Sequence, residues 1–314
     1  MKVQERDIRE QMSRQGIPCH SEIVCDGKAR RFKVDGRGKA NGWYWFVVRN
    51  DKVYGVFGNW KTGERCKLGN ITSEIRKAIN LQVDDSRRRA ETAALAANDE
   101  WVELTPSGVS KYLDRKKVPS FGLRFGQDSR HPYDNFVAVP MVVGDRIIGL
   151  QKIYGDGSKR FTPGCAKKGS SFVIVGDRSI VLVCEGYATG ATLHMATGFE
   201  VVVGFDCGNM EPVVRSMLAE KTRPPLMIAG DNDHATVCQR HRKGRRLVPL
   251  DPMETRPKWC ACNPGKSMAL ALARRHKLRW VVPDAKNLTG ITDFNDLAAH
   301  LSIADVACQI YDQM

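Results

Sequence analysis

From residue 180 onward, short runs of consecutive apolar residues alternate with helix-like stretches. Ile180-Val181-Leu182-Val183-Cys184, Val201-Val202-Val203-Gly204-Phe205 and Leu226-Met227-Ile228-Ala229 read as strands buried on both faces. Residues 189–197, 210–219 and 265–276 read as the intervening helices. A strand at 278–282 and a helix opening near Phe294 continue the series. This alternation predicts an α/β fold, a parallel sheet flanked by helices.

The first 180 residues have a different texture. Residues 7–14 predict a short charged helix. Residues 21–25 and 30–34 predict two strands joined through the turn signal Asp26-Gly27-Lys28. Trp43-Tyr44-Trp45-Phe46-Val47-Val48 and Val53-Tyr54-Gly55-Val56-Phe57 flank Arg49-Asn50-Asp51-Lys52 and predict an aromatic β-hairpin, closed by a turn over 58–63. Residues 71–103 are charged and alanine-rich, predicting a solvent-facing helix. Beyond Tyr112, residues 136–143 and 146–154 predict strands separated by Gly144-Asp145. The expected organisation is an N-terminal α+β domain (1–72), a helical linker (73–104), a β-rich basic subdomain (105–178) and the parallel-sheet domain (179–314) with an insertion at 234–262.

Charge narrows the class of partner. The chain carries 49 Lys+Arg against 35 Asp+Glu, a net charge of +14, which favours a polyanion such as nucleic acid. Two readings fit the aromatics near Arg30, Arg31, Lys33, Arg37 and Lys39: a stacking platform for single strands, or the core of a small domain. Lys152, Lys159, Arg160, Lys167 and Lys168 cluster on glycine-containing turns just before residue 180, a setting suited to phosphate contacts. No run approaches the roughly 18 apolar residues of a membrane span, and the N-terminus lacks a signal-peptide core. Ten cysteines without a paired framework point to a reduced, cytoplasmic setting.

The acids carry the candidate chemistry. Three strands are followed by carboxylates: Glu185 after the first, Asp206 after the second, Asp231 and Asp233 after the third. In a parallel sheet these positions share one edge, where open α/β sheets bind ligands. Gly186 is expected to let the chain turn tightly behind Glu185. Hard oxygen donors without cysteine or histidine suit Mg²⁺.

Glu185-Gly186 followed by Asp231-Asn232-Asp233 resembles the Toprim fold of bacterial-type primases, topoisomerases and some nucleases. More narrowly, Glu185-Gly186-Tyr187-Ala188-Thr189-Gly190 resembles the Glu-Gly-Tyr-Ala-Thr-Ala motif of plasmid- and phage-encoded DNA primases. Further similarities lie at Tyr112-Leu113, Lys116-Lys117-Val118, Leu150-Gln151-Lys152-Ile153, Asp156-Gly157-Ser158-Lys159-Arg160-Phe161 and Asp293-Phe294-Asn295-Asp296-Leu297. The resemblance implies synthesis of short RNA primers on a single-stranded DNA template from ribonucleoside triphosphates, with Mg²⁺ or Mn²⁺ and a separate replicative helicase. Glu185 then assists proton transfer or holds metal. Asp231, Asp233, Asp293 and Asp296 bind metal, and the upstream cations bind template or nucleotide. The chromosomal primase pattern has another acid four residues after the glutamate; here Thr189 stands there, and Asp206 is a candidate to compensate.

Other signals weigh less. His234, Cys238, His241, Cys260 and Cys262 are zinc-type ligands, but Cys260-Ala261-Cys262 has one intervening residue rather than the usual two to four, which favours a basic loop. Asn263-Pro264-Gly265-Lys266-Ser267 resembles the tail of a phosphate-binding loop, yet Cys260 occupies the position of its first glycine, so the segment is read as a helix start. His194 is read as a packed or capping residue rather than a base. The rival functions are phosphodiester cleavage by a Toprim nuclease or topoisomerase-like enzyme, and a non-catalytic single-strand-binding module.

Overall fold

The computed structural model describes residues 2–34, 40–49, 51–60, 62–69, 73–129, 131–133, 135–220, 222–233, 263–284 and 290–314. Its contacts divide the chain into two compact units, Met1–Ser86 and Arg87–Met314.

The first unit contains helix α1 (Lys2–Arg14) and strands β1 (Asp26–Phe32), β2 (Gly42–Arg49), β3 (Lys52–Asn59) and β4 (Arg65–Leu68). The four strands form one antiparallel sheet in chain order. Phe32, Tyr44, Phe46, Phe57 and Leu68 face α1 and bury a core with Ile8, Met12 and Ile17. Tyr44 and Phe46 are two apart, so they share this face and stack 4.7 Å apart. The predicted strand at 21–25 and its turn do not form. Instead β1 runs through Asp26-Gly27-Lys28, with its register shifted between Asp26 and Ala29. Gly27 has φ +74°, and Asp26 accepts from the Lys28 N–H. The turn chemistry is spent on a bulge within a strand rather than on a hairpin.

Helix α2 (Ser73–Glu103) crosses the division between the units. The second unit continues with α3 (Lys111–Lys116) and strands β5 (Arg124–Gln127), β6 (Asn135–Val143), β7 (Arg146–Tyr154) and β8 (Lys159–Phe161), which form an antiparallel sheet. Then come β9 (Phe172–Ile174), β10 (Asp177–Cys184), α4 (Tyr187–Thr197), β11 (Phe199–Val203), α5 (Cys207–Leu218), β12 (Leu226–Ala229), α6 (Pro264–His276), β13 (Arg279–Val281), α7 (Phe294–His300) and α8 (Ile303–Tyr311).

The last sheet has the order β13-β12-β10-β11-β9 and is parallel except for the edge strand β9. Its central strand β10 is sealed on both sides. Ile180, Leu182 and Cys184 face one core with residues of α4, α7 and α8, while Val181 and Val183 face the other with residues of α5 and α6. Each such side chain contributes roughly 1.5–3 kcal/mol by burial, which is why the strand is a continuous apolar run. Helix starts follow local chemistry. Ser110, Asp206, Asn263, Asp293 and Ser302 each accept a backbone N–H from the first turn of the helix they precede. The overall architecture is mixed α/β with several sheets.

Candidate active site

Glu185 follows β10 directly and sits at the carboxyl edge of the parallel sheet. The next residue, Gly186, has φ −111° and ψ 153°, and a Cβ there would meet nothing nearer than 3.8 Å. The tight turn expected of this glycine is therefore absent: extended backbone open to any residue leads into α4. Gly190, one turn later, has a different reason to lack a side chain, since a Cβ would lie 2.8 Å from Val203 of β11.

Glu185, Asp206, Asp231 and Asp293 line one cavity of about 400 Å³, with Tyr112, Arg115, Lys116, Asp156, Lys159 and Thr189 also on its wall. The sheet accounts for the convergence of residues 185, 206 and 231. Asp293 arrives at the start of α7, where its side chain accepts the Asp296 N–H at 2.7 Å.

The four acids differ in how they are satisfied. Glu185 Oε1 and Asp231 Oδ1 are buried without a hydrogen-bond partner. Burial and the neighbouring charges of Asp233 and Asp206 push the Glu185 carboxyl up to about 7, against a backbone hydrogen bond from Cys207. Burial, then Glu185 and Asp293, push Asp231 up to about 8. Asp293 is raised by burial and Asp296. Asp206, by contrast, caps α5 and forms an ion pair with Lys167.

Asp233 and Asp296 are engaged beside the cavity rather than on its wall. Asp233 Oδ2 accepts the Gly265 N–H at 2.9 Å, and a Cβ on Gly265 would lie 2.6 Å from the Asp231 carbonyl oxygen. The start of α6 thus rests against the 231–233 segment. Asn232 fastens the same segment: its N–H donates to Thr292 O and its amide to Pro283 O. Asp296 is half-buried, but the Thr292 N–H and hydroxyl and the Lys116 charge outweigh that burial and hold its pKa below the usual carboxylate range.

The five expected cations part company. Lys159 lies on the cavity wall. Lys152 pairs with Glu100 at 2.5 Å and sits over the Phe136 ring, and Arg160 lies over Tyr154. Lys167 is paired with Asp206, and Lys168 is exposed in a turn. Lys116 and Arg115 also reach the cavity; Lys116 belongs to a segment that carries the family resemblance, whereas no motif singled out Arg115. Their helix is held by Tyr187 Oη donating to Pro119 O and by the Asn295 amide donating to Lys116 O. The Ser-x-x-Leu start of α3 was the available signal, but nothing local showed where that helix docks.

His194 Nδ1 lies 2.8 Å from Phe199 O and its ring packs edge-on to Phe121, so it is a packed residue. The proposed zinc ligands His234, Cys238, His241, Cys260 and Cys262 lie outside the described residues. Among the described residues, no three histidine, cysteine or acidic side chains are gathered closely enough to hold an ion by themselves. A larger cavity of about 500 Å³, lined by Val109, Lys111, Gln127 and Tyr133 among others, presents no acid among its described residues.

No family model matches the chain. It is similar to two Escherichia coli proteins named DNA primase TraC. One is 26% identical over 67% of this chain and 21% of its own length, the other 25% over 71% and 16%. The chain thus spans about a fifth or less of these relatives. A Polaromonas naphthalenivorans protein named alanine racemase is 29% identical over 51% of this chain and 39% of its own length. Among solved structures, that of Aquifex aeolicus primase (zinc-binding and RNA polymerase domains) aligns with 88% of this chain and 80% of its own, at 11% identity and a TM-score of 0.46. None of the helices among the described residues is long and apolar enough to cross a membrane.

Proposed function

We propose that the chain is a DNA primase of the Toprim type, joining ribonucleotides into short primers on single-stranded DNA with Mg²⁺ or Mn²⁺. The observation that carries this reading is the pair of buried, unpartnered oxygens, Glu185 Oε1 and Asp231 Oδ1, in a cavity that also presents Lys159, Lys116 and Arg115. Similarity to proteins named DNA primase supports the reaction class.

The donor set fits a divalent cation. Among its described residues the cavity wall offers oxygen donors and no cysteine or histidine, and two of those oxygens are buried without a hydrogen-bond partner. Mg²⁺ keeps several waters and shares its shell with phosphates, so it needs only one or two protein carboxylates. Asp231 and Asp293 would hold it, with waters completing its shell. Asp233 and Asp296 support that set through Gly265 and Thr292. When bound, the cation supplies charge stabilisation for the reacting phosphate and the departing pyrophosphate.

The chain's own residues do the rest. Glu185, whose Oε1 is buried beside this set without a hydrogen-bond partner, is placed to accept the proton of the attacking 3′-hydroxyl. Lys159 and Arg115 bind the triphosphate and fix its approach, Arg115 being held to the β7–β8 turn by its bond to Gly155 O. Strand opening is assigned to a separate replicative helicase, the partner that the resemblance to primases implies.

Incubation with single-stranded template, labelled ribonucleotides and Mg²⁺ or Mn²⁺ tests this. Labelled oligomers that disappear with Asp231→Asn are expected. Shortened template would favour the nuclease reading, template shifted without synthesis the binding-module reading, and racemised alanine would sink all three.

A further inference from the structure

The sheet of the first unit has a second face. Strand alternation sends Tyr44 and Phe46 into the core and Trp43, Trp45 and Val47 to the opposite side. The register places Gly58, Val56 and Tyr54 of β3 opposite these three, and Arg65 and Lys67 of β4 opposite Gly58 and Val56. Arg31 of β1 lies opposite Trp43. The core reading of the aromatic segment therefore holds for alternate residues, and the others lie on the outer face.

This face has a built aromatic step. A Cβ on Gly58 would lie 2.7 Å from the Trp43 ring, so the missing side chain lets the indole lie on the sheet. Trp60, 58% exposed, sits with its ring 5.6 Å from Trp43, and the Arg65 guanidinium lies 5.9 Å from the Trp43 centroid. Trp60 is anchored rather than loose: its N–H donates to Asn41 O at 2.8 Å. The one carboxylate among the described strand residues of this face, Asp26 opposite Val47, is paired with Arg30 at 2.7 Å. The neighbouring Glu64 is taken by the Thr62 hydroxyl at 2.8 Å.

We propose that this outer face, built on Trp43, Trp60 and Arg65 and flanked by Arg31 and Lys67, binds single-stranded DNA by stacking bases on its indoles. Exposed indoles supply flat apolar surface and the uncompensated cations match phosphates, which is the pairing a single strand requires. A second copy of the chain is a poor occupant, because a face-to-face pair would oppose like charges. A duplex hides its base faces and cannot use the indoles. The preference for DNA over RNA rests on the proposed function; the stacking site itself does not.

The test uses the full chain and a fluorescently labelled oligo(dT), read by anisotropy over a range of salt. Trp60→Ala is expected to weaken binding about tenfold, while Trp60→Phe retains most of it. Arg65→Ala and Lys67→Ala should each flatten the plot of log affinity against log salt by about 0.7. Melting temperatures measured alongside should stay at the wild-type value, since these side chains are exposed. Wild-type affinity in all three alanine variants would overturn the proposal, as would equal loss of duplex and single-strand binding. Tighter binding of the matching RNA would overturn the choice of DNA. Failure of primer synthesis with these binding changes intact would count against the proposed function and leave the face standing. Synthesis with binding unaffected by the substitutions would do the reverse.

Discussion

The parallel sheet and the antiparallel sheet of the first unit use the same kinds of residue to opposite ends. In the parallel sheet, Val181, Leu182, Val183 and Cys184 are all fully buried because helices cover both sides. No face is left for a ligand, and chemistry is confined to the carboxyl ends of the strands, where Glu185 and Asp231 emerge. In the antiparallel sheet of the first unit, one face is core and the other keeps Trp43 and Tyr54 half-exposed beside cations. A sheet sealed on both faces works at its edge, and a sheet sealed on one can work across its surface.

The contrast can be broken most sharply at the sheet edge. Asp231→Asn should lower nucleotide incorporation by about a thousandfold, measured as labelled primer per unit time, because it removes a desolvated charge aimed at the reaction. No substitution on the outer face of the first unit should come near that at saturating template. Stability should show the reverse sensitivity to burial. Leu182→Ala should cost about 2–5 kcal/mol in denaturant unfolding, whereas Trp60→Ala should change it by less than about 0.5 kcal/mol.

Protonation gives a third test. The folded pKa values of Glu185 (about 7) and Asp231 (about 8) lie above their ordinary values of 4.5 and 3.8. Between those limits the folded state binds more protons than the unfolded state, so stability falls as pH rises. In the presence of a chelator, stability should therefore decline from about pH 4 to pH 8, and Asp231→Asn should recover about 1–3 kcal/mol at pH 8. A chelated protein equally stable at both limits would contradict the burial of these carboxylates. The smallest effect concerns two glycines. Gly186→Ala should leave incorporation within about twofold, since its backbone is extended and its surroundings are open. Gly265→Ala should do more harm, because a Cβ would strike the Asp231 backbone.

Much of the second unit was legible in its apolar runs. Burial on both faces demands an unbroken string such as 180–184, and nothing else in a polar chain requires one. Capping residues were equally local, as Ser110 and Asn263 show. Asp26-Gly27-Lys28 misled because a bulge and a hairpin turn draw on the same conformational freedom, and only the pairing partner distinguishes them. Gly186 misled for a related reason: glycine permits a tight turn without requiring one.

By itself, the sequence determined the alternation of strand and helix and the placing of Glu185, Asp206 and Asp231 just beyond strands that must share an edge. It also determined an excess of positive charge, because these properties depend on residue type and short-range spacing. The tertiary structure alone decided which groups are used up. Lys167 is taken by Asp206 and Lys116 by Asp296, 39 and 180 residues apart. It also left Glu185 Oε1 and Asp231 Oδ1 without a partner. Those outcomes depend on which distant side chain arrives first at a buried atom, and no local pattern encodes that.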